Sequence, residues 1–193
     1  MPEIERIWAS VLSQLKANGG VVKIGVRGLG GDKDGANPDF KRGIENKLGG
    51  LYVQSKYHAW IATRAVDFAS NGTGKIELWG YSMGGTAAAE LTNQVNKDAS
   101  SISALYLLDP VKILPGDLVL TAKVGPVTTW YQRQPTDKYN WLFLRSAANI
   151  MWGDPVVSNV EGNTVTNNLI TTKHSYIPAC HFDPESYPAI CSK

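Results

Sequence analysis

The sequence is poor in the residues that mark metal, nucleic-acid or membrane proteins. Three histidines and two cysteines in 193 residues provide no Cys/His set at zinc spacing. The 19 basic and 17 acidic residues leave a formal net charge of +2. With no basic run and no aromatic–basic interleaving, nucleic acid is excluded as an expected partner. No apolar run approaches the ~20 residues of a transmembrane helix. The first residues, Met1-Pro2-Glu3-Ile4-Glu5-Arg6, carry neither the basic start nor the apolar core of a secretory signal. A cytoplasmic location is therefore the default expectation, with export by another route left open. Cys180 and Cys191 both fall late in the chain, where they read equally as free thiols or as a short disulfide loop.

Several short patterns fail on inspection. Gly72-Thr73-Gly74-Lys75 has Ala69 and Ile76 where a phosphate-binding loop needs glycine and a hydroxyl residue. Gly28-x-Gly30 has Lys33 where a dinucleotide fingerprint needs glycine. Asp32-Lys33-Asp34-Gly35 is followed by Ala36, which breaks the ligand alternation of a calcium loop. No cofactor is expected. What remains is an ordinary globular composition, 43% hydrophobic and 19% charged. At this length it predicts one domain over residues 1–193, with a sheet covered on both faces.

Apolar positions set the expected elements. Ile4, Ile7, Trp8, Val11, Leu12 and Leu15 recur at helical spacing and stop at Asn18-Gly19-Gly20. Val21 to Val26 reads as a strand, ending in Arg27-Gly28-Leu29-Gly30-Gly31 and a polar loop from Asp32 to Pro38. Val53, Tyr57, Trp60, Ile61 and Phe68 mark a second helix. Lys75-Ile76-Glu77-Leu78-Trp79 is a strand, Thr86 to Val95 a helix, and Ile102 to Leu108 a buried strand. Trp141 to Leu144 is a fourth strand, and the segments at Val165 and Leu169 form a weaker strand or hairpin. Strands alternating with helices argue for a mainly parallel sheet. The stretch from Pro110 to Tyr139 lacks clear periodicity and reads as a long loop that lines a pocket, covers one, or is a plain surface excursion.

The chemistry centres on Gly80-Tyr81-Ser82-Met83-Gly84-Gly85. A serine between a strand and a helix, flanked by glycines, sits on a sharp strained turn where Cβ atoms beside it would clash. The helix behind it directs N–H groups and partial positive charge at a developing oxyanion. A serine nucleophile needs a base, and the base needs a carboxylate. Asp109 directly follows the strand after the motif, where ligands of parallel sheets bind. Asp154, one strand further on, is its rival. Of the histidines, His58 precedes Ser82 and fits the chain order poorly. His174 lies in a late loop and is preferred to His181 in the tail. The oxyanion donors are expected to be the N–H groups of Met83 and Leu29.

Taken together, Arg27 to Gly31, Gly80 to Gly85, Leu108-Asp109-Pro110-Val111 and His174-Ser175-Tyr176-Ile177-Pro178 resemble the motifs of small lipases and esterases of the α/β-hydrolase superfamily. They run in the family's order from residue 21 to about 178. The resemblance implies a three-layer α/β/α-hydrolase fold with a minimal, cutinase-like sheet of about five strands. It favours Asp109 over Asp154 as the acid. It also implies hydrolysis of a small-molecule or lipid ester through an acyl-enzyme, with thioesterase, acyltransferase or non-catalytic ligand binding as alternatives. Arg27 stands where many members have histidine. Oligomeric state is not legible.

Overall fold

The structure is a computed structural model that describes residues 3–27, 38–53, 74–96, 102–112, 117–133 and 153–191. Helix α1 (Glu3–Ala17) leads into strand β1 (Val21–Val26), then α2 (Pro38–Arg42), a π-helical turn (Gly43–Lys47) and β2 (Leu51–Val53). Strand β3 (Lys75–Tyr81), helix α3 (Met83–Val95) and β4 (Ile102–Leu108) follow, then β5 (Leu118–Leu120), β6 (Val127–Tyr131), β7 (Val156–Ser158) and β8 (Val165–Leu169). A 3₁₀ turn (His174–Tyr176), α4 (Ile177–Phe182) and a second 3₁₀ turn (Pro184–Ser186) come last.

Six strands form one sheet in the order β2-β1-β3-β4-β6-β8, and every pairing is parallel. Parallel strands buried on both faces require helices on both sides. The period of two along β3 shows this. Ile76 and Leu78 enter a core with Val11 and Leu15 of α1 and Ala88, Ala89 and Leu91 of α3. Trp79 and Tyr81 point the other way, into a second core with Phe40, Ile44 and Ile177. The result is a three-layer α/β/α arrangement. Close approach explains Gly25 on the second face, where a Cβ would lie 2.5 Å from Ile44 Cγ1.

A second, two-stranded parallel ribbon pairs β5 with β7. Such a ribbon is marginal alone, and asparagine side chains tie it to its surroundings. Asn93 of α3 donates to Val119 O and accepts from Thr121 N–H, both at 2.8 Å. Asn167 of β8 accepts from Val156 N–H at 2.9 Å and donates to Val156 O at 2.8 Å. Asn163 does the same for Val124 N–H and Ala122 O.

Among the described residues the main sheet has six strands, close to the expected minimal sheet of about five. Other expectations change. Val53, read as the start of a helix, is instead the last residue of β2, paired with Val26. Pro38, read as loop, opens α2. The stretch from Pro110 to Tyr139 contains β5 and β6, and β6 lies inside the main sheet between β4 and β8. Residues Val165–Leu169 form one edge strand parallel to β6, without a hairpin. The remainder of the expected second helix and the strand at Trp141 to Leu144 lie outside the described residues. Among the described residues no helix is long and apolar enough to cross a membrane.

Candidate active site

Ser82 occupies the single residue between β3 and α3, with φ 57° and ψ −131°. A side-chain-bearing residue is strained in that region, so the surroundings must hold it. Ser82 N–H donates to Leu108 O at 3.1 Å, while Ser82 O accepts from Gly85 N–H at 2.9 Å and Val111 N–H at 3.1 Å. The glycines leave no room for side chains. A Cβ on Gly80 would lie 2.5 Å from Gly85 Cα, one on Gly84 2.6 Å from the Arg27 carbonyl, and one on Gly85 2.7 Å from Pro110 Cβ. The turn, the end of β1 and the end of β4 are thus packed backbone to backbone.

Asp109 follows β4 directly and is the only other described non-glycine residue with positive φ, 47°. Its N–H donates to Trp130 O at 2.6 Å, and Thr86 Oγ1 donates to Val111 O at 2.7 Å. The Asp109 side chain is fully buried. Its Oδ1 accepts from Gln132 N–H at 3.0 Å and its Oδ2 from Gln132 Nε2 at 3.2 Å. The third partner is His174 Nδ1, 2.5 Å from Oδ2. A carboxylate removed from water needs such donors.

His174, 3% exposed, opens the 3₁₀ turn after β8. Tyr81 fixes it from the sheet side. The Tyr81 ring stacks on the imidazole with centroids 4.8 Å apart and planes at 22°, and its hydroxyl donates to His174 O at 3.1 Å. Because Tyr81 adjoins Ser82 in the chain, the two loops meet across one residue.

The other candidates are placed elsewhere. Asp154 faces Lys112 N–H at 3.4 Å and Arg133 at 4.0 Å, and burial raises its pKa above the usual carboxylate range. His181 sits among Trp79, Trp130 and Phe182, where burial lowers its pKa to about 4. Met83 begins α3, so its N–H belongs to the first-turn donors that no intrahelical carbonyl satisfies. Leu29 and His58 lie outside the described residues. Cys180 and Cys191 are joined in a disulfide. Sequence reasoning missed Gln132, Tyr81 and Gly153, the last of which closes over the Asp109 carboxylate. Tyr81 was visible as a member of the serine motif, whereas Gln132 and Gly153 carry no local signal.

The six-stranded parallel order, with a strained serine between its third strand in sequence and the following helix, is an α/β-hydrolase fold. No protein-family model and no curated protein sequence matches the chain. Among solved structures it is similar to an esterase from Pyrobaculum calidifontis, with 14% identity over 89% of this chain and 73% of that one, TM-score 0.47. It is also similar to an alpha-beta serine hydrolase homologue from Coxiella burnetii, with 12% identity over 89% and 83% of the two chains, TM-score 0.42. A third is the NocB thioesterase domain from a nocardicin cluster, with 16% identity over 91% and 92%, TM-score 0.42.

Proposed function

We propose that residues 1–193 form a single serine hydrolase domain of the α/β-hydrolase superfamily, which cleaves carboxylic esters through an acyl-enzyme. The observation that carries the reading is the buried Asp109–His174 contact at 2.5 Å, held against the turn that carries Ser82. Asp109 and His174 come from distant parts of the chain, and a solvent-excluded carboxylate bonded to Nδ1 is the arrangement that makes Nε2 a base.

In this reading Ser82 Oγ attacks the ester carbonyl carbon while His174 Nε2 takes its proton. The tetrahedral oxyanion is held by the N–H groups of Met83 and Leu29. Collapse breaks the carbon–oxygen bond to the alcohol, which leaves with the proton from His174. Water, deprotonated by the same nitrogen, then attacks the acyl-serine and returns the free acid and Ser82. Asp109 keeps the imidazole oriented and stabilises its cationic form in both halves. The substrate is a small-molecule or lipid ester, and no cofactor enters.

The test is fluorophosphonate labelling of the wild type and Ser82→Ala, with p-nitrophenyl esters of increasing chain length as substrates. Labelling and turnover are expected to vanish together in the variant, with its circular dichroism and melting unchanged. Wild-type rates in Ser82→Ala would refute the assignment. A thioester series run in parallel separates ester from thioester preference.

A further inference from the structure

His181 has no part in the proposed chemistry, yet it is the other described histidine and is half-buried. Its ring contacts among the described residues are aromatic: Trp130 at 4.3 Å, Phe182 at 4.8 Å and Trp79 at 5.6 Å between centroids. Neither ring nitrogen finds a hydrogen-bond partner among the described residues. The ring nitrogens are therefore open to a hydrogen-bonding ligand on the side that the imidazole leaves uncovered.

It faces a cavity of about 400 Å³ between the end of β8, the tip of β6 and helix α4. Trp130 and His181, packed on each other with centroids 4.3 Å apart, provide one aromatic wall, Ile170 and Ile177 aliphatic ones, and the Cys180–Cys191 disulfide a further side. None of Ser82, Met83, Asp109 and His174 lines it, and no lysine, arginine, aspartate or glutamate is among its described lining residues. The volume falls within the range of small-molecule sites, and aromatic walls with a few placed polar atoms are their usual lining.

We propose that this cavity is a binding site for an uncharged, flat, apolar molecule that carries one hydrogen-bonding group. The flat body is dictated by the rings of Trp130 and His181, against which an aromatic or conjugated ring stacks offset or edge-on. The hydrogen-bonding group is dictated by the unpartnered imidazole nitrogens, which offer one donor and one acceptor in the neutral ring. An uncharged ligand is favoured because no charged side chain among the described lining residues offers a counter-charge. Burial keeps His181 itself neutral at pH 7, with a pKa lowered to about 4.

The probe is 2-naphthol at pH 7, titrated into the oxidised full-length protein by calorimetry, with 2-naphthoate as the charged counterpart of the same ring. Saturable one-to-one binding of the naphthol is expected, with naphthoate at least tenfold weaker. His181→Phe keeps the aromatic wall and removes both nitrogens, and is expected to weaken binding about tenfold, the equivalent of one hydrogen bond. Trp130→Ala should abolish it, and Ser82→Ala should leave it unchanged. In protein labelled with ¹⁵N-histidine, the naphthol should shift a ring resonance that is missing from His181→Phe. Absence of saturable binding overturns the proposal, as does equal affinity for naphthol and naphthoate, or wild-type affinity in His181→Phe. Loss of binding in Ser82→Ala would move the probe to the serine site and overturn it as well.

Discussion

Replacing Gly153 by alanine tests the placement of the Asp109 carboxylate without altering any group that would act in the reaction. Gly153 is buried, and an added Cβ would fall on Asp109 Oδ1, 2.8 Å from Cγ and 3.0 Å from Tyr131 Cβ. Gly153 has little freedom to retreat, because the N–H of its neighbour Asp154 donates to Pro110 O at 2.8 Å. The carboxylate must therefore move by roughly 1 Å or more to restore ordinary contact in a close-packed interior. Its bonds to Gln132, already 3.0 and 3.2 Å, and its contact with His174 would stretch beyond useful geometry. A displacement of that size is expected to lower kcat roughly 10²-fold, and up to about 10⁴-fold if Asp109 is uncoupled from the imidazole altogether. Overpacking should cost about 1–3 kcal/mol, or roughly 2–12 °C of melting temperature for a domain of this size. The assay is p-nitrophenyl ester turnover alongside thermal melting, with Gly19→Ala as the control. Gly19 has φ +62° and open space around its Cβ position, so that substitution strains the backbone and loses stability without touching the site. Gly153→Ala with kcat within threefold of wild type and an unchanged melting temperature would refute the reasoning.

Three further outcomes are expected. Gln132→Leu keeps the backbone donor to Asp109 but removes the 3.2 Å side-chain donor; kcat should fall about tenfold with KM little changed, since a hydrogen bond to a charged group contributes about 1.5–3 kcal/mol, and steady-state kinetics checks it. Reducing the Cys180–Cys191 bond, which spans 11 residues, should lower stability by about 3 kcal/mol on the loop-entropy relation, seen as an earlier urea midpoint in dithiothreitol than in oxidised protein. The His181 pKa falls from 6.5 to about 4 on folding, so the unfolded chain binds the proton more readily. Its contribution to stability is complete above pH 6.5 and is lost as the pH falls toward 4, by about 3 kcal/mol; urea titrations across that window should show the loss, and His181→Phe should flatten it.

What could be read beforehand depended on how far apart the cooperating residues lie. The Ser82 turn was legible because strand, glycines and helix are contiguous, and the steric reason for Gly84 and Gly85 holds in the packing against Arg27 and Pro110. The place of Asp109 directly after a strand was legible, while its preference over Asp154 also rested on resemblance. The structure brings Asp109 and His174 together and leaves Asp154 and His181 with other partners. Gln132 reaches Asp109 across 23 residues of sequence, from a stretch whose prolines hid β6. The β-branched and aromatic run Val127-Thr128-Thr129-Trp130-Tyr131 was the available sign of that strand. Strand β2, three residues long, is too short to show periodicity at all.

The asparagines that tie the β5–β7 ribbon make its attachment depend on the neutrality of three amides. Asn93, Asn163 and Asn167 each present a donor and an acceptor to the backbone at once, which an amide can do and a carboxylate cannot. Slow hydrolysis of any one of these amides, or its replacement by aspartate, would turn the donating end toward a carbonyl as a second acceptor bearing negative charge. The ribbon would then loosen at one stitch while the six-stranded sheet beneath it kept every ladder bond.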